Sequence, residues 1–525
     1  MNQIRQNKIN VLKATAESHA ARKDWPQAIA HYEAALELAP EDADILVQLS
    51  YVHSLSGQYR LAHDCVLRAH AANPSAPRIV QELVARLRTF NEAEAIHQLI
   101  ARLPPIEDLP IPVLLTFAAQ LSYLNEQDRA LAFLDEAKRA DPDFPTTLAA
   151  RAQVLMYLGR FDDAEADLER CIARAPEIAQ AHWLLARLRR QTVESNHIDR
   201  LNKRAALPSR RPEDAVQLHY ALHKELDDIG EHEASWAALD HACRAKRARL
   251  QYRREDSRDL FQALMAMPPH APDGESMITG LDDKTPIFIV GMHRSGTTLL
   301  EQLLDGHSQV RGLGELYDFT SQMRQATDHH CRGVIDRTIV ERAGSVDHAE
   351  VGKGYLKGVD WRLGEERFFT DKLPSNFLNI GFICQALPQA RILHMVRDPM
   401  EVCFSNLREL FSDANPYSYD QLELADYYLQ YEKLMNHWKQ SYPDRIMDVG
   451  YAELTRDTET VIRRVSDFCG VEFEPDMLDP LQRKRGVATA SAVQVREGVV
   501  ARKQAKWVPY AAHLKPLQDA LGYAD

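Results

Sequence analysis

The segment Gly291-Met292-His293-Arg294-Ser295-Gly296-Thr297-Thr298 follows the apolar run Pro286-Ile287-Phe288-Ile289-Val290 and precedes Leu299-Leu300-Glu301-Gln302-Leu303-Leu304. The run bounded by Pro and Gly predicts a buried parallel strand, and the later stretch predicts an amphipathic helix. A strand, a glycine-bounded turn and a helix N-terminus together aim backbone N–H groups and the positive helix end at one point, which makes an anion cradle. The nucleoside-triphosphatase loop G-x-x-x-x-G-K-S/T requires lysine where Thr297 stands. Here the fixed cation of the loop is Arg294, and no strand end of the Walker-B kind follows. The loop is therefore expected to hold a phosphorylated ligand without hydrolysing ATP. A P-loop kinase and an ordinary strand-to-helix turn are the competing readings.

This loop resembles that of the sulfotransferase family, in which P-x-x-R-S-G-T-T-L after a strand grips the 5′-phosphosulfate of 3′-phosphoadenosine-5′-phosphosulfate (PAPS). The resemblance runs from about Pro286 to Trp507 and is nearest to tyrosylprotein sulfotransferases and their bacterial relatives with tetratricopeptide repeats. It implies that Arg294, Ser295, Gly296, Thr297 and Thr298 hold the phosphosulfate. It makes Glu315, in the Gly314-Glu315 pair, the general base: a hydroxyl attacking sulfur must lose its proton, and a carboxylate beside the loop takes it. His307 and His293 stay open as rival bases. Lys372, in Arg367-Phe368-Phe369-Thr370-Asp371-Lys372-Leu373-Pro374, matches the family lysine that stabilises charge on the bridging oxygen of the leaving phosphate.

Arg397-Asp398-Pro399, with Ser405 eight residues after the arginine, matches the family's 3′-phosphate site. Arginine offers phosphate a planar fork, and the hydroxyl adds one further bond. Tyrosylprotein sulfotransferases place another arginine on that helix where this chain has Glu409, with Arg408 as a possible substitute. Gly450-Tyr451-Ala452-Glu453-Leu454 resembles the family's Y-E-x-L turn, whose tyrosine lies near the adenine, although Ala452 replaces the usual glutamate. Ser491 and Lys506 carry over as cofactor contacts from the family's closing segment. The resemblance calls for no metal, since fixed cations and amides take the place of magnesium.

Other elements must position these residues. Pro40, Pro74, Pro142 and Pro176 fall on a 34-residue grid, as do Gly57, Asn91, Asn125 and Gly159, and again Ala28, Ala62, Ile96, Ala130 and Ala164. Each unit reads as two amphipathic helices separated by a turn residue able to adopt positive φ, packed through small residues and stopped by proline. This is the tetratricopeptide period. The unit centred on Asn91 departs most, with Ile96 in place of Ala and a displaced Pro104-Pro105 pair. A polar stretch from Gln191 to Asp199 interrupts the register. A further helix pair is expected at Glu213 to Asp228 and Glu231 to about Arg254, with Gly230 at its turn.

The expected fold class is thus α plus α/β: an all-α tetratricopeptide superhelix, then a P-loop-like three-layer α/β domain with a mainly parallel sheet. Residues 1–195 are read as the array, 196–267 as the additional pair or connector, 268–284 as a linker and 285–525 as the PAPS-dependent domain. With 525 residues, 45% of them hydrophobic and 26% charged, the chain reads as two or three globular domains. The net charge of −13 argues against nucleic-acid binding, and the seven scattered cysteines suggest neither zinc nor a disulfide framework. No signal peptide or membrane span is legible, so a cytoplasmic enzyme is expected. The implied reaction is sulfuryl transfer to an acceptor hydroxyl, a tyrosine or peptide among the options, with the array recruiting a protein partner or acceptor. A small-molecule sulfotransferase with the array as scaffold, and an inactive adaptor, stay open. Because every proposed contact lies between Arg294 and Lys506, the array is expected to add nothing directly to cofactor chemistry.

Overall fold

The structure, a computed structural model, describes residues 2–208, 211–268, 284–479, 486–489, 493, 496 and 504–523. Helix pairs run from Asn2–Ala21 and Trp25–Leu38 to Pro145–Tyr157 and Phe161–Arg174, followed by Ala179–Arg187. The turns within the pairs hold Lys23, Gly57, Asn91, Asn125 and Gly159 at φ of 61°, 80°, 61°, 64° and 78°. Lys23 extends the turn grid one step toward the N-terminus; lysine carries no turn signal, which hid it in the sequence. Ala28, Ala62, Ile96, Ala130 and Ala164 are all fully buried, where paired helices approach most closely. In the irregular unit the helix Ala93–Ala101 has nine residues against 13 or 14 in its counterparts Tyr59–Ala71 and Gln127–Ala140, and a 3₁₀ turn, Ile106–Asp108, follows.

After the array come the helix Ile198–Ala205 and the pair Pro212–Asp228 and His232–Arg247, with Gly230 at φ 84° between the last two. The helix expected to run on to Arg254 ends at Arg247, and a separate helix, Arg254–Met265, begins after a break. Of the expected linker, residues 269–283 lie outside the described residues.

Among the described residues five strands follow: β1 (Thr285–Val290), β2 (Val310–Gly312), β3 (Phe368–Asp371), β4 (Arg391–Val396) and β5 (Ile446–Gly450). They pair in the order β2-β3-β1-β4-β5, every ladder parallel. Side chains alternate between the faces of such a sheet. On one face Ile287, Ile289, Leu393, Met395 and Val449 pack with Leu300, Leu303, Val461, Ile462 and Val465 from the helices Thr297–Leu304 and Thr458–Cys469. On the other, His394 of β4 meets Tyr431 of the helix Gln421–Ser441, and Trp438 of that helix donates its indole N–H to the Phe377 carbonyl at 3.0 Å. The fold is therefore the expected three-layer α/β arrangement. Each fully buried Leu, Ile or Phe contributes roughly 1.5–3 kcal/mol, so the layers are held mainly by apolar burial.

Contacts gather the chain into two compact units, one of Met1–Leu124 with Tyr317–Trp361, the other of Asn125–Leu316 with Arg362–Asp525. Both cut across the sequence segments. Within the first, Arg60 donates to the carbonyls of Gln325 and Ala326, at 2.8 and 2.6 Å, and so caps the C-terminal end of the helix Asp318–Thr327. Ser321 of that helix donates to the Phe90 carbonyl at 3.0 Å, beside the Asn91 turn. Within the second, the strands share a unit with the array from Asn125 onward.

Candidate active site

β1 opens into the loop Gly291 to Gly296, and three of its residues have positive φ: Gly291 at 149°, Arg294 at 69° and Gly296 at 111°. A Cβ on Gly291 would meet the Met395 carbonyl oxygen at 2.8 Å, and one on Gly296 would meet Tyr451 Cδ2 at 2.5 Å. The two glycines thus let β4 and Tyr451 close onto the loop. Asn406, fully buried, donates to the His293 carbonyl at 2.7 Å, and the Gly291 N–H donates to the Pro374 carbonyl at 3.2 Å. Thr297 and Thr298 lie buried in the first turn of the helix Thr297–Leu304. The Ser295 hydroxyl is buried, with no hydrogen-bond partner among the described residues. A fixed loop, a helix N-terminus and a buried hydroxyl make a cradle suited to an anion.

Three arginine-bearing elements meet at one side of this cradle. Arg294 Nε donates to Ser405 Oγ at 3.3 Å, and its Nη1 lies 3.8 Å from Glu409 Oε2. Burial lowers the pKa of its guanidinium, and the Glu409 carboxylate opposes that shift. Arg397 Nη1 donates to the Arg294 carbonyl at 3.1 Å, its Nε donates to Glu401 at 2.9 Å, and its guanidinium lies 4.4 Å from the Tyr451 ring centre. Asp398 caps the helix Pro399–Leu407 by accepting from the Glu401 N–H at 2.9 Å, and Pro399 opens that helix. The dipeptide after Arg397 thus sets the helix that carries Ser405. Arg408 turns away to His223, at 3.0 Å, and to Asp227. Instead Arg187, from the array helix Ala179–Arg187, reaches Glu409 at 3.1 Å.

At the end of β3, Lys372 is fully buried and its Nζ donates to Glu315 Oε1 at 2.7 Å; the Glu315 side chain keeps 33% of its surface exposed. The Lys372 N–H donates to the Gly314 carbonyl at 2.9 Å. Glu301, one helical turn into Thr297–Leu304, accepts from the Gly314 N–H at 2.7 Å and from Thr370 Oγ1 at 2.9 Å. A single buried carboxylate thus ties the phosphate-loop helix, β3 and the Glu315 turn together. Asn125, the array turn residue, donates through Nδ2 to the Leu313 carbonyl at 3.2 Å. His293 lies within electrostatic reach of Glu315 and Lys372, its ring edge-on to Phe411 with centres 5.4 Å apart. Burial pushes its pKa down to about 4 against the pull of Glu315, so the imidazole is neutral at pH 7. His307 uses both nitrogens on the chain, Nε2 toward the Glu472 carbonyl at 2.7 Å and Nδ1 accepting from the Gln309 N–H at 2.9 Å. It has no nitrogen left for a substrate proton.

Residues 286–475 match the sulfotransferase family, and residues 145–178 match the tetratricopeptide repeat. This chain joins a sulfotransferase-family domain to tetratricopeptide repeats. An uncharacterised protein of Aquifex aeolicus (strain VF5) is 26% identical over 411 residues, covering 76% of this chain and 53% of that protein. The chain thus spans about half the length of that relative. Protein-tyrosine sulfotransferase 2 of Gallus gallus is 25% identical over 270 residues, 45% of this chain and 69% of that one. Among solved structures, the sulfotransferase domain of the Synechococcus PCC 7002 olefin synthase is 18% identical, with 46% of this chain and 96% of that chain covered and a TM-score of 0.28.

In the sulfotransferase domain, Arg294, Ser405, Arg397 and Tyr451 form one connected group, and Glu315 with Lys372 forms another, joined to the first through His293 and the loop. Lys506 is exposed, within electrostatic reach of Asp227 and His223, and its segment is anchored where Tyr510 donates to Asp227 at 2.6 Å. Ser491 lies outside the described residues. Among the described residues no three His, Cys, Asp or Glu side chains gather to hold a metal ion, and no helix is long and apolar enough to cross a membrane. Sequence reasoning missed Glu301, Asn406, Asn125 and Arg187. Glu301 left one trace, a charge set among the leucines that follow the loop. Asn125 was visible only as a turn former. Two array residues reach the neighbourhood of the site: Asn125 bonds the Leu313 carbonyl and Arg187 pairs with Glu409.

Proposed function

We propose that this protein transfers the sulfuryl group of PAPS to an acceptor hydroxyl, and that residues 285–525 carry the chemistry. The observation that bears most weight is the fully buried Lys372 ammonium, 2.7 Å from Glu315, beside a glycine-hinged anion loop. An ion pair of this kind at the end of a strand costs desolvation, and a structural role alone gives little reason to keep it. In the proposed reaction Glu315 takes the acceptor proton, the acceptor oxygen bonds to sulfur, and the bond from sulfur to the bridging phosphate oxygen breaks. Lys372 donates to that oxygen as its charge grows, and the electron pair leaves with 3′-phosphoadenosine-5′-phosphate. Fixed positive groups act where charge develops. Arg294, Ser295, Gly296, Thr297 and Thr298 would hold the 5′ end; Arg397 and Ser405 would hold the 3′-phosphate; Tyr451 would lie against the base, with Lys506 and Ser491 closing the site. His293, neutral and buried, would line the acceptor side.

The protein-tyrosine sulfotransferases among the relatives make a tyrosyl hydroxyl in a peptide or protein the first acceptor to test. Titration calorimetry on the full chain should show 3′-phosphoadenosine-5′-phosphate binding much more tightly than 5′-AMP. Incubation with sulfur-labelled PAPS and a tyrosine-containing peptide library should then label a peptide. Equal nucleotide affinities would remove the PAPS assignment. Label passing only to small phenols or sugars would keep the reaction and reject the peptide acceptor.

A further inference from the structure

Arg187 is the last residue of the array helix Ala179–Arg187, yet it shares a carboxylate with the loop arginine. Its Nη2 lies 3.1 Å from Glu409 Oε1, while Arg294 Nη1 lies 3.8 Å from the other oxygen of the same carboxylate. Glu409 is 9% exposed and Arg294 is 8% exposed, so the cluster is largely shielded from water. The indole of Trp183, one turn earlier on the array helix, lies 4.9 Å under the Arg187 guanidinium and limits where it can point. Arg408 is engaged by Asp227 and His223 from the helix Pro212–Asp228. Arg187 thus shares a carboxylate with Arg294, whose Nε donates to Ser405, while Arg408 spends its guanidinium on Asp227 and His223.

We propose that Arg187 is a specificity residue of the nucleotide site, an array-borne guanidinium that contributes to holding the phosphate bound at Arg397 and Ser405. This rests on the reading of that site as one for a 3′-phosphorylated nucleotide. Glu409 keeps the two guanidiniums side by side against their mutual repulsion. An incoming phosphate supplies further counter-charge, and a planar fork from Arg187 meets its oxygens from the array side. The array then takes part in donor recognition as well as in whatever it recruits.

The test is calorimetry on the full chain with 3′-phosphoadenosine-5′-phosphate and with 5′-AMP. Arg187→Ala should weaken the bisphosphate about ten-fold or more, which is about 1.4 kcal/mol, and leave 5′-AMP within two-fold. Arg187→Gln, which keeps a polar side chain but is shorter and carries no charge, should give the same loss with an unchanged circular dichroism melt; should the alanine variant misfold, it alone decides. Wild-type bisphosphate affinity in Arg187→Gln, alongside a large loss in Arg397→Ala, would overturn the role of Arg187 and leave the PAPS reading standing. An equal loss for both nucleotides would make Arg187 structural and also overturn it. A wild-type chain that does not distinguish the nucleotides would bring down the PAPS reading, and this inference with it.

Discussion

Glu301→Ala is the perturbation with the most definite consequence. Its carboxylate accepts from the Gly314 N–H at 2.7 Å and from Thr370 Oγ1 at 2.9 Å, and the residue is 1% exposed. Hydrogen bonds to a charged group are worth about 1.5–3 kcal/mol each, so losing both costs roughly 3–6 kcal/mol at most, less what an entering water restores. Typical domains have only about 5–15 kcal/mol of stability, so the alanine variant should unfold at clearly lower urea. Glu301→Gln keeps an acceptor oxygen for both donors. Neutral hydrogen bonds being about half as strong, it should lose roughly 1.5–3 kcal/mol. Because Gly314 precedes Glu315, loosening the turn should also lower kcat, and a displacement near 1 Å costs on the order of 10²-fold. Urea unfolding by circular dichroism and steady-state transfer would be measured on wild type, Gln and Ala. If Ala matches wild type in both, Glu301 does not hold the turn and the reasoning is wrong.

Glu315→Gln should lower kcat by roughly 10²–10⁴-fold, the range for a positioned base, while the calorimetric affinity for 3′-phosphoadenosine-5′-phosphate stays near wild type; full turnover would shift attention to His293. Gly296→Ala places a methyl group 2.5 Å from Tyr451 at a φ of 111°, so nucleotide affinity should fall sharply; unchanged binding would contradict the closed loop. His197 has its pKa raised from 6.5 to about 9 by hydrogen bonds to Glu169 and Glu225. Its folded pKa lies above the unfolded one, so its stabilisation is complete below pH 6.5 and is lost as pH rises through 9. Denaturation midpoints should therefore fall over that window in wild type and be flatter in His197→Gln. A chain begun within residues 268–284 lacks Asn125, Arg187, His223 and Asp227, so circular dichroism should show it poorly folded and calorimetry should show little nucleotide binding; native affinity would mean these contacts are dispensable.

What the sequence made legible was whatever repeats or follows local rules. The turn grid emerged because positive φ selects Gly and Asn, and β1 emerged because a strand buried on both faces is a run of apolar residues. β2 has only three residues, Val310–Gly312, too few to show a period. Lys23 holds positive φ because its repeat requires it, a tertiary cause without a local sign. In the site, the loop could be read because one contiguous motif builds it. Arg187 and Asn125 could not, since their roles depend on array turns and helices meeting residues 188 or more positions later, a separation across which composition carries no register. The segment Tyr317–Trp361 was likewise invisible as a companion of the first repeats: its polar and apolar residues alternate as in any helix, and nothing in that pattern names a partner.

The turn contacts also restrict how the array can evolve. Repeat arrays usually change length by gaining or losing whole units. Here Asn125 meets Leu313, and the next turn along, at Gly159, sits so close to Arg496 that a Cβ would lie 2.5 Å from its Nε, while Tyr157 accepts from Arg496 and Val487. Arg187 then meets Glu409. Duplicating or deleting one 34-residue unit between Asn125 and Arg187 would carry each of these side chains to the neighbour's address. Copy number in this stretch is therefore locked, and since Arg60 and Phe90 hold the helix Asp318–Thr327 by the same kind of contact, variation in repeat count among relatives should fall on the N-terminal side of Arg60.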